Sequence, residues 1–234
     1  MLDSVISFDN RASQEWQPKV LFVAFIKHLQ LGLATCTSTG ITSPSSRKML
    51  EALRLSLRGQ REPFRSDSKK ARGAVSVLIK EEAENLWLLM IKRGENPGDP
   101  WSGQMAFPGG HADPVDRSLM DTAARETLEE VAINVRDQEF FGCLRNLEPR
   151  NAPMLVAPFV FLLLREVRPA ESTEAREILW VPMSFLLNQK NVSSLTVPIG
   201  DREVSMGCYV YLDHTIWGLS FRIIQDIVSK ITNA

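Results

Sequence analysis

The chain has 234 residues, enough for one ample α/β domain with an appendage and too few for two full domains. Its 27 Lys and Arg nearly balance 28 Asp and Glu, and a formal net charge of −1 leaves no basic footprint for a DNA or RNA polymer. Three well-separated thiols, Cys36, Cys143 and Cys208, make neither a disulfide framework nor a zinc knuckle and fit a reduced, cytoplasmic setting. His28, His111 and His214 are too scattered to form a local metal motif.

In chain order, residues 1–48 read as an N-terminal extension, helical in part or disordered. A helix is plausible over 20–33, and a Ser/Thr/Gly/Pro run follows over 34–46. The apolar stretch 20–26 is far too short to span a bilayer, so no membrane partner is expected. The first fifty residues are rich in Ser and Thr and poor in acids, which leaves organellar targeting open, although Asp3, Asp9 and Glu15 argue against it. Residues 49–70 read as a helix and linker. Leu50, Leu53 and Leu57 at helical spacing place that helix over about 46–57, and a polar connection runs from 58 to 70 around Pro63.

The compact domain is expected over residues 71–234. Apolar, β-rich runs at 73–79 and 86–91 flank a charged segment at 80–85 and predict a hairpin. A Gly/Pro-rich loop at 94–103 leads to Phe107-Pro108-Gly109-Gly110. Residues 121–131 predict the clearest helix, with Met120, Ala124, Leu128 and Val131 as its core stripe. Strands are predicted at 139–144, 156–164, 178–181, 204–211 and 215–217, with a short helix at 184–187 and a closing amphipathic helix at 219–231. Strands outnumber helices and mix with them, so the fold class is α/β (α+β), a sandwich with a mixed β-sheet.

Arg125-Glu126-Thr127-Leu128-Glu129-Glu130 lies on the clearest helix. At helical spacing Glu126, Glu129 and Glu130 fall within roughly 100° of arc and crowd one face. On acid count alone such a face reads as solvated surface. Arg125 relieves Glu129 at i,i+4, but Glu126 and Glu130 repel each other unrelieved. A hard divalent cation takes oxygen ligands of this kind and would turn that repulsion into binding. Gly109-Gly110 upstream strengthens the metal reading, because paired glycines turn tightly and offer backbone groups to an ion or phosphate.

The joint pattern resembles the Nudix box, a loop–helix–loop of consensus G-x5-E-x7-R-E-U-x-E-E-x-G-U, in which U is a bulky apolar residue. Gly110, Arg125-Glu126, Glu129-Glu130 and Ile133 carry it here. The loop is one residue longer, and the early Glu is absent, with Asp116 as a stand-in. Thr127 fills an apolar slot and Ala132 replaces the late Gly. Segments 88–93, 103–110, 113–116, 147–153 and 216–219 are similar to the coenzyme A pyrophosphatase branch of that family. Asp99-Pro100-Trp101-Ser102 departs from it, standing where the branch has a basic, Leu-containing sequence. The resemblance covers about residues 71 to 230.

That resemblance implies a Nudix-type α/β/α sandwich that hydrolyses a phosphoanhydride bond in a small nucleoside diphosphate derivative, a coenzyme A-like substrate first. ADP-ribose or an oxidised nucleotide is the alternative, and a catalytically inactive Nudix-fold binding module is a third reading. It implies Mg²⁺ or Mn²⁺ held by Glu126, Glu129, Glu130 and the carbonyl of Gly109, with Arg125 orienting a box glutamate. Glu126 and Glu129 are box candidates for the general base, and Glu174 lies where a later family Glu often sits. Arg93 matches the branch Arg and could grip phosphate. Arg150 and Asn151 occupy a Pro-flanked loop suited to substrate binding, and Trp101 is read as pinning its turn. The oligomeric state is left open, a homodimer among the options.

Overall fold

The structure is a computed structural model that describes residues 45–60, 71–97, 99, 101–150, 152–164, 166–199 and 202–233. The expected helix at 20–33 and most of the connection at 58–70 lie outside these residues. Helix α1 (Ser46–Leu57) falls where its leucine spacing placed it, and it buries Met49, Leu50, Leu53 and Leu57. The expected division between 48 and 49 runs through this helix. Nor is α1 an appendage of a domain that begins at 71. Its apolar stripe packs on the closing helix, and Arg54 forks onto Glu139 while lying 5.2 Å from the Phe141 ring centroid. The polar connection after α1 concealed that its leucines complete the domain's own core.

Strands β1 (Ala71–Glu82) and β2 (Asn85–Arg93) form the predicted hairpin. Its turn is only Ala83-Glu84, both with φ near the left-handed region (49° and 61°), as a two-residue turn matched to strand twist requires. The chain continues through β3 (Met105–Ala106), β4 (Gly109–His111), α2 (Leu119–Val131), β5 (Glu139–Cys143), β6 (Met154–Leu162) and β7 (Ala175–Pro182). Then come α3 (Met183–Leu187), β8 (Val192–Ile199), β9 (Arg202–Tyr211), β10 (His214–Trp217) and α4 (Gly218–Thr232). Strand β8 was not anticipated, because Ser193-Ser194 and Pro198 disguise it. Its pairing with β9 at the edge of the sheet β10-β9-β8 explains how a proline is tolerated.

The main sheet has the order β3-β2-β1-β6-β5, with β4 added on β1 and β7 on β2. It is mixed as expected: β1 runs parallel to β6, and the other named pairs are antiparallel. Both faces of β1 are covered, which explains its nearly unbroken apolar run. Ala74 and Leu78 share a core with Ala123, Ala124 and Val131 of α2. Val77 and Ile79 point the other way, into a core with α1, α3 and α4. The result is a sandwich of helix, sheet and helices. Cys143 and Cys208 are buried and free, and burial pushes the Cys143 thiol up to about 12. No helix among the described residues is long and apolar enough to cross a membrane.

If α1 belongs to the same cooperative unit, Leu53→Ala, at a fully buried position, should lower unfolding stability by about 2–5 kcal/mol. Urea denaturation should show one transition with a lower midpoint. An unchanged midpoint would mean that α1 is a separate appendage after all.

Candidate active site

Helix α2 starts cleanly. Ser118 caps it by accepting the Asp121 backbone N–H at 3.2 Å. It ends at Ala132, whose φ of 58° is the left-handed position that a glycine fills without strain. The late Gly of the box pattern thus has its conformational job performed here by alanine. The predicted core stripe is corrected in rotation: Leu128 is 53% exposed, while Thr127 is fully buried. The buried arc holds Ala123, Ala124, Thr127, Glu130 and Val131. Thr127 Oγ1 lies 2.7 Å from Ser76 Oγ of β1 and 2.6 Å from the Ala123 carbonyl, so its hydroxyl is satisfied without water. That rotation carries Glu130 beneath the sheet, where a purely apolar stripe would have kept it out.

Glu130 is 2% exposed, and its Oε2 accepts the Gly109 backbone N–H at 2.8 Å. Gly109, at φ 152°, runs so close to β1 that an added Cβ would sit 2.2 Å from the Ala74 carbonyl oxygen. Gly110 is constrained from the other side, because a Cβ there would lie 2.4 Å from Glu126 Oε1. The two glycines therefore press backbone directly against the two inner carboxylates. Burial raises the pKa of Glu130 to about 7; the Gly109 hydrogen bond and the charge of Arg93 only partly offset it. Burial also raises Glu126, against the pull of Arg125, with Glu129 and Glu174 adding repulsion.

Arg125 ties the outer half of the site together. Its Nη1 donates to Glu126 Oε1 at 2.9 Å and to Glu129 Oε2 at 3.1 Å. Its Nε and Nη2 fork onto Asp116 at 3.2 and 3.0 Å, and Nη2 also reaches the His111 carbonyl. Asp116 further accepts from the Asp113 N–H and the Thr122 hydroxyl, and the Arg125 guanidinium holds its carboxyl far below the usual range. The stand-in carboxylate is therefore spent on anchoring Arg125 and is not turned toward the inner glutamates. Its strength as an anchor was missed at the sequence level, though an Asp in the loop nine residues before the Arg was the available signal.

Two further elements close the site. Strand β2 ends at Arg93, which faces Ala175 in the β7 register, and the Gly94 N–H donates to the Glu174 carbonyl at 2.8 Å. Arg93 and Glu174 thus enter side by side, and both charges are felt at Glu130. Arg93 Nη2 is paired with Asp99 Oδ2 at 2.9 Å, and Asp99 Oδ1 caps the Trp101 N–H in the turn that Trp101 was expected to occupy. Arg150 is exposed in the turn before β6. That loop leaves the sheet at the same end as β4, since Gly73 pairs with Val156 on one side and His111 on the other. Asn151 lies outside the described residues.

Among the described residues no three Asp, Glu, His or Cys side chains are already gathered into a cation cage. Glu126 and Glu129 are turned to Arg125, and Glu130 to the Gly109 amide. The donor set nevertheless fits a hard divalent ion. It offers oxygen donors only, two of them on carboxylates made unfavourable by burial and by each other, against a backbone where no side chain intrudes.

This fit has a consequence for the metal-free protein. An acid whose folded pKa lies above its unfolded value of 4.5 costs nothing in strongly acidic solution, costs progressively more as pH rises from 4.5 to about 7, and carries the full cost above that. Glu130→Gln keeps an acceptor for the Gly109 amide and removes the charge. It should stabilise the chelator-treated protein by about 3 kcal/mol at pH 8, an advantage that fades by pH 4. Thermal unfolding across that range checks it; equal stability at pH 8 would show that the Glu130 carboxylate is not under electrostatic stress.

Known proteins show which family the chain resembles. A family model described as the NUDIX domain matches residues 70–196, more than half of the chain. The uncharacterized Nudix hydrolase NudL of Photorhabdus laumondii is 35% identical over 131 residues, covering 56% of this chain and 70% of that protein. The mitochondrial coenzyme A diphosphatase NUDT8 of Homo sapiens is 30% identical over 122 residues, covering 50% of this chain and 51% of its own length. A solved MutT/nudix family protein from Enterococcus faecalis aligns with a TM-score of 0.49 at 18% identity, covering 73% of this chain and 65% of that one. On the family match and the extent of the NudL relationship, this chain belongs to the Nudix hydrolase family.

Proposed function

We propose that this hydrolase is a divalent-metal-dependent pyrophosphohydrolase that splits the diphosphate of a small nucleoside diphosphate derivative, coenzyme A-like substrates first. The observation that carries the chemistry is the pairing of a buried carboxylate, Glu130, with a half-buried one, Glu126, and the Gly109-Gly110 backbone pressed against them. The coenzyme A preference is supported by the branch-like segments of the sequence and by the named activity of the human relative.

In this reading Glu126, Glu129, Glu130 and the Gly109 carbonyl hold Mg²⁺ or Mn²⁺. When bound, such an ion supplies charge neutralisation at the diphosphate and activation of water. The chain's own residues do the positioning. Asp116 fixes Arg125, and Arg125 in turn keeps Glu126 and Glu129 from swinging apart. Glu130, locked by the Gly109 amide, provides the deepest negative charge. Arg93 meets a substrate phosphate from the β2 end, Arg150 approaches the substrate from the turn before β6, and Asn151 is kept as a substrate-binding residue on the sequence resemblance alone. A carboxylate must accept the proton of the attacking water as it reaches phosphorus. Glu174 suits that role because it is exposed and electrostatically coupled to both inner glutamates; Glu126 and Glu129 are the box alternatives.

Purified protein with Mg²⁺ or Mn²⁺ should hydrolyse coenzyme A faster than ADP-ribose, NADH or oxidised deoxynucleotides. Glu130→Gln should lower kcat by about 10²–10⁴-fold while the protein stays folded. Faster turnover of ADP-ribose or an oxidised nucleotide would move the substrate assignment. Turnover of none would favour a binding module over an enzyme, and near-normal activity in the variant would sink the metal assignment.

A further inference from the structure

The geometry points to Asp99 as a specificity-determining residue that occupies the Arg93 guanidinium and penalises ligands bringing extra negative charge to that end of the site. The inference rests on the proposed role of Arg93 as a phosphate contact and adds to it what the neighbouring loop does.

The loop between β2 and β3 is tied to itself so that Asp99 is delivered to Arg93. The Asp99 N–H donates to the Asn96 carbonyl, the Ser102 N–H to the Asp99 carbonyl, and the Asn96 N–H to Ser102 Oγ, all at 3.0–3.1 Å. One carboxylate oxygen caps the Trp101 N–H and the other meets Arg93 Nη2, both at 2.9 Å. The pair is partly shielded, with side chains 29% and 16% exposed, so its charges are felt more strongly than those of a surface pair.

The two arginines of the site are used differently. Arg125 employs Nε, Nη1 and Nη2 on three carboxylates. Arg93 gives its Nη2 to Asp99 and its side chain stays 29% exposed, so part of the guanidinium can be reached by an incoming acceptor. A phosphate arriving there meets an Arg–Asp pair of no net charge. An esterified phosphate carrying one negative charge tolerates this better than a terminal phosphate carrying nearly two, because each added charge is repelled by Asp99. The acidic loop thus biases the site toward diphosphates esterified at both ends.

Calorimetric titration of the full chain with ADP and ADP-ribose, with Ca²⁺ as the divalent ion, tests this. The two ligands share adenosine and the diphosphate and differ in whether the outer phosphate is esterified. Asp99→Asn keeps a carbonyl acceptor for the Trp101 N–H, and its thermal midpoint reports whether the loop survives. The variant should bind ADP on the order of ten-fold more tightly than wild type, with a clearly smaller gain for ADP-ribose. Arg93→Gln should weaken both ligands. Equal or absent effects of Asp99→Asn, with Arg93→Gln still weakening both, would make Asp99 a loop cap only and overturn the proposal while leaving the pyrophosphatase reading intact. No effect of Arg93→Gln on either ligand would remove the phosphate contact and the proposal with it. Failure of either nucleotide to bind any of the three proteins would count against the functional reading itself.

Discussion

Glu130 sits between helix α2 and the sheet, hydrogen-bonded among the described residues to the Gly109 amide, and much of the local architecture can be traced to keeping its carboxylate there. A buried carboxylate with, among the described residues, one neutral hydrogen-bond donor is an unfavourable arrangement. It requires Gly109 to approach β1 at a distance no side chain could allow. It also requires α2 to be turned so that a threonine, not a leucine, faces β1. The hydroxyl pair of Ser76 and Thr127 makes that rotation tolerable by satisfying both groups inside the interface. These are local sacrifices of packing, and sites where apolar patterning yields are where function is expected to reside.

Around this centre the charges fall into an ordered arrangement. The inner carboxylates, Glu126 and Glu130, are raised in pKa, by burial above all. The outer one, Asp116, is driven the opposite way by Arg125 and serves as a fixed anchor. The same guanidinium links both groups, so the position of the loop after β4 and the aim of Glu126 are set together. Strands β2 and β7 bring Arg93 and Glu174 to the same mouth, which couples the sheet's hydrogen-bond register to the electrostatics of the site.

Much of this was legible in the sequence, for reasons that can be named. The period of Leu50, Leu53 and Leu57 set α1, and the apolar run at 73–79 set the strand β1, whose burial on both faces only the structure revealed. The spacing of Arg125, Glu126, Glu129 and Glu130 placed an acidic cluster on one helix, and the Gly109-Gly110 pair marked its neighbour. What escaped depended on contacts far apart in sequence. Leu128 was assigned to the core because hydrophobicity was counted and the Thr127–Ser76 bond, 51 residues apart, could not be. The place of α1 in the domain is set by α4 at the other end of the chain. Strand β8 was missed because Ser193-Ser194 and Pro198 are poor strand formers except at an edge.

The central claim is that the stress on Glu126 and Glu130 exists to be relieved by a cation at that point in the fold. Crystals of the full chain soaked in Mn²⁺ and measured for anomalous scattering would test it most directly. The account predicts a manganese peak in contact with the carboxylates of Glu126 and Glu130, beside Gly109. A manganese-saturated crystal with no peak there, or with its peak elsewhere on the molecule, would contradict it.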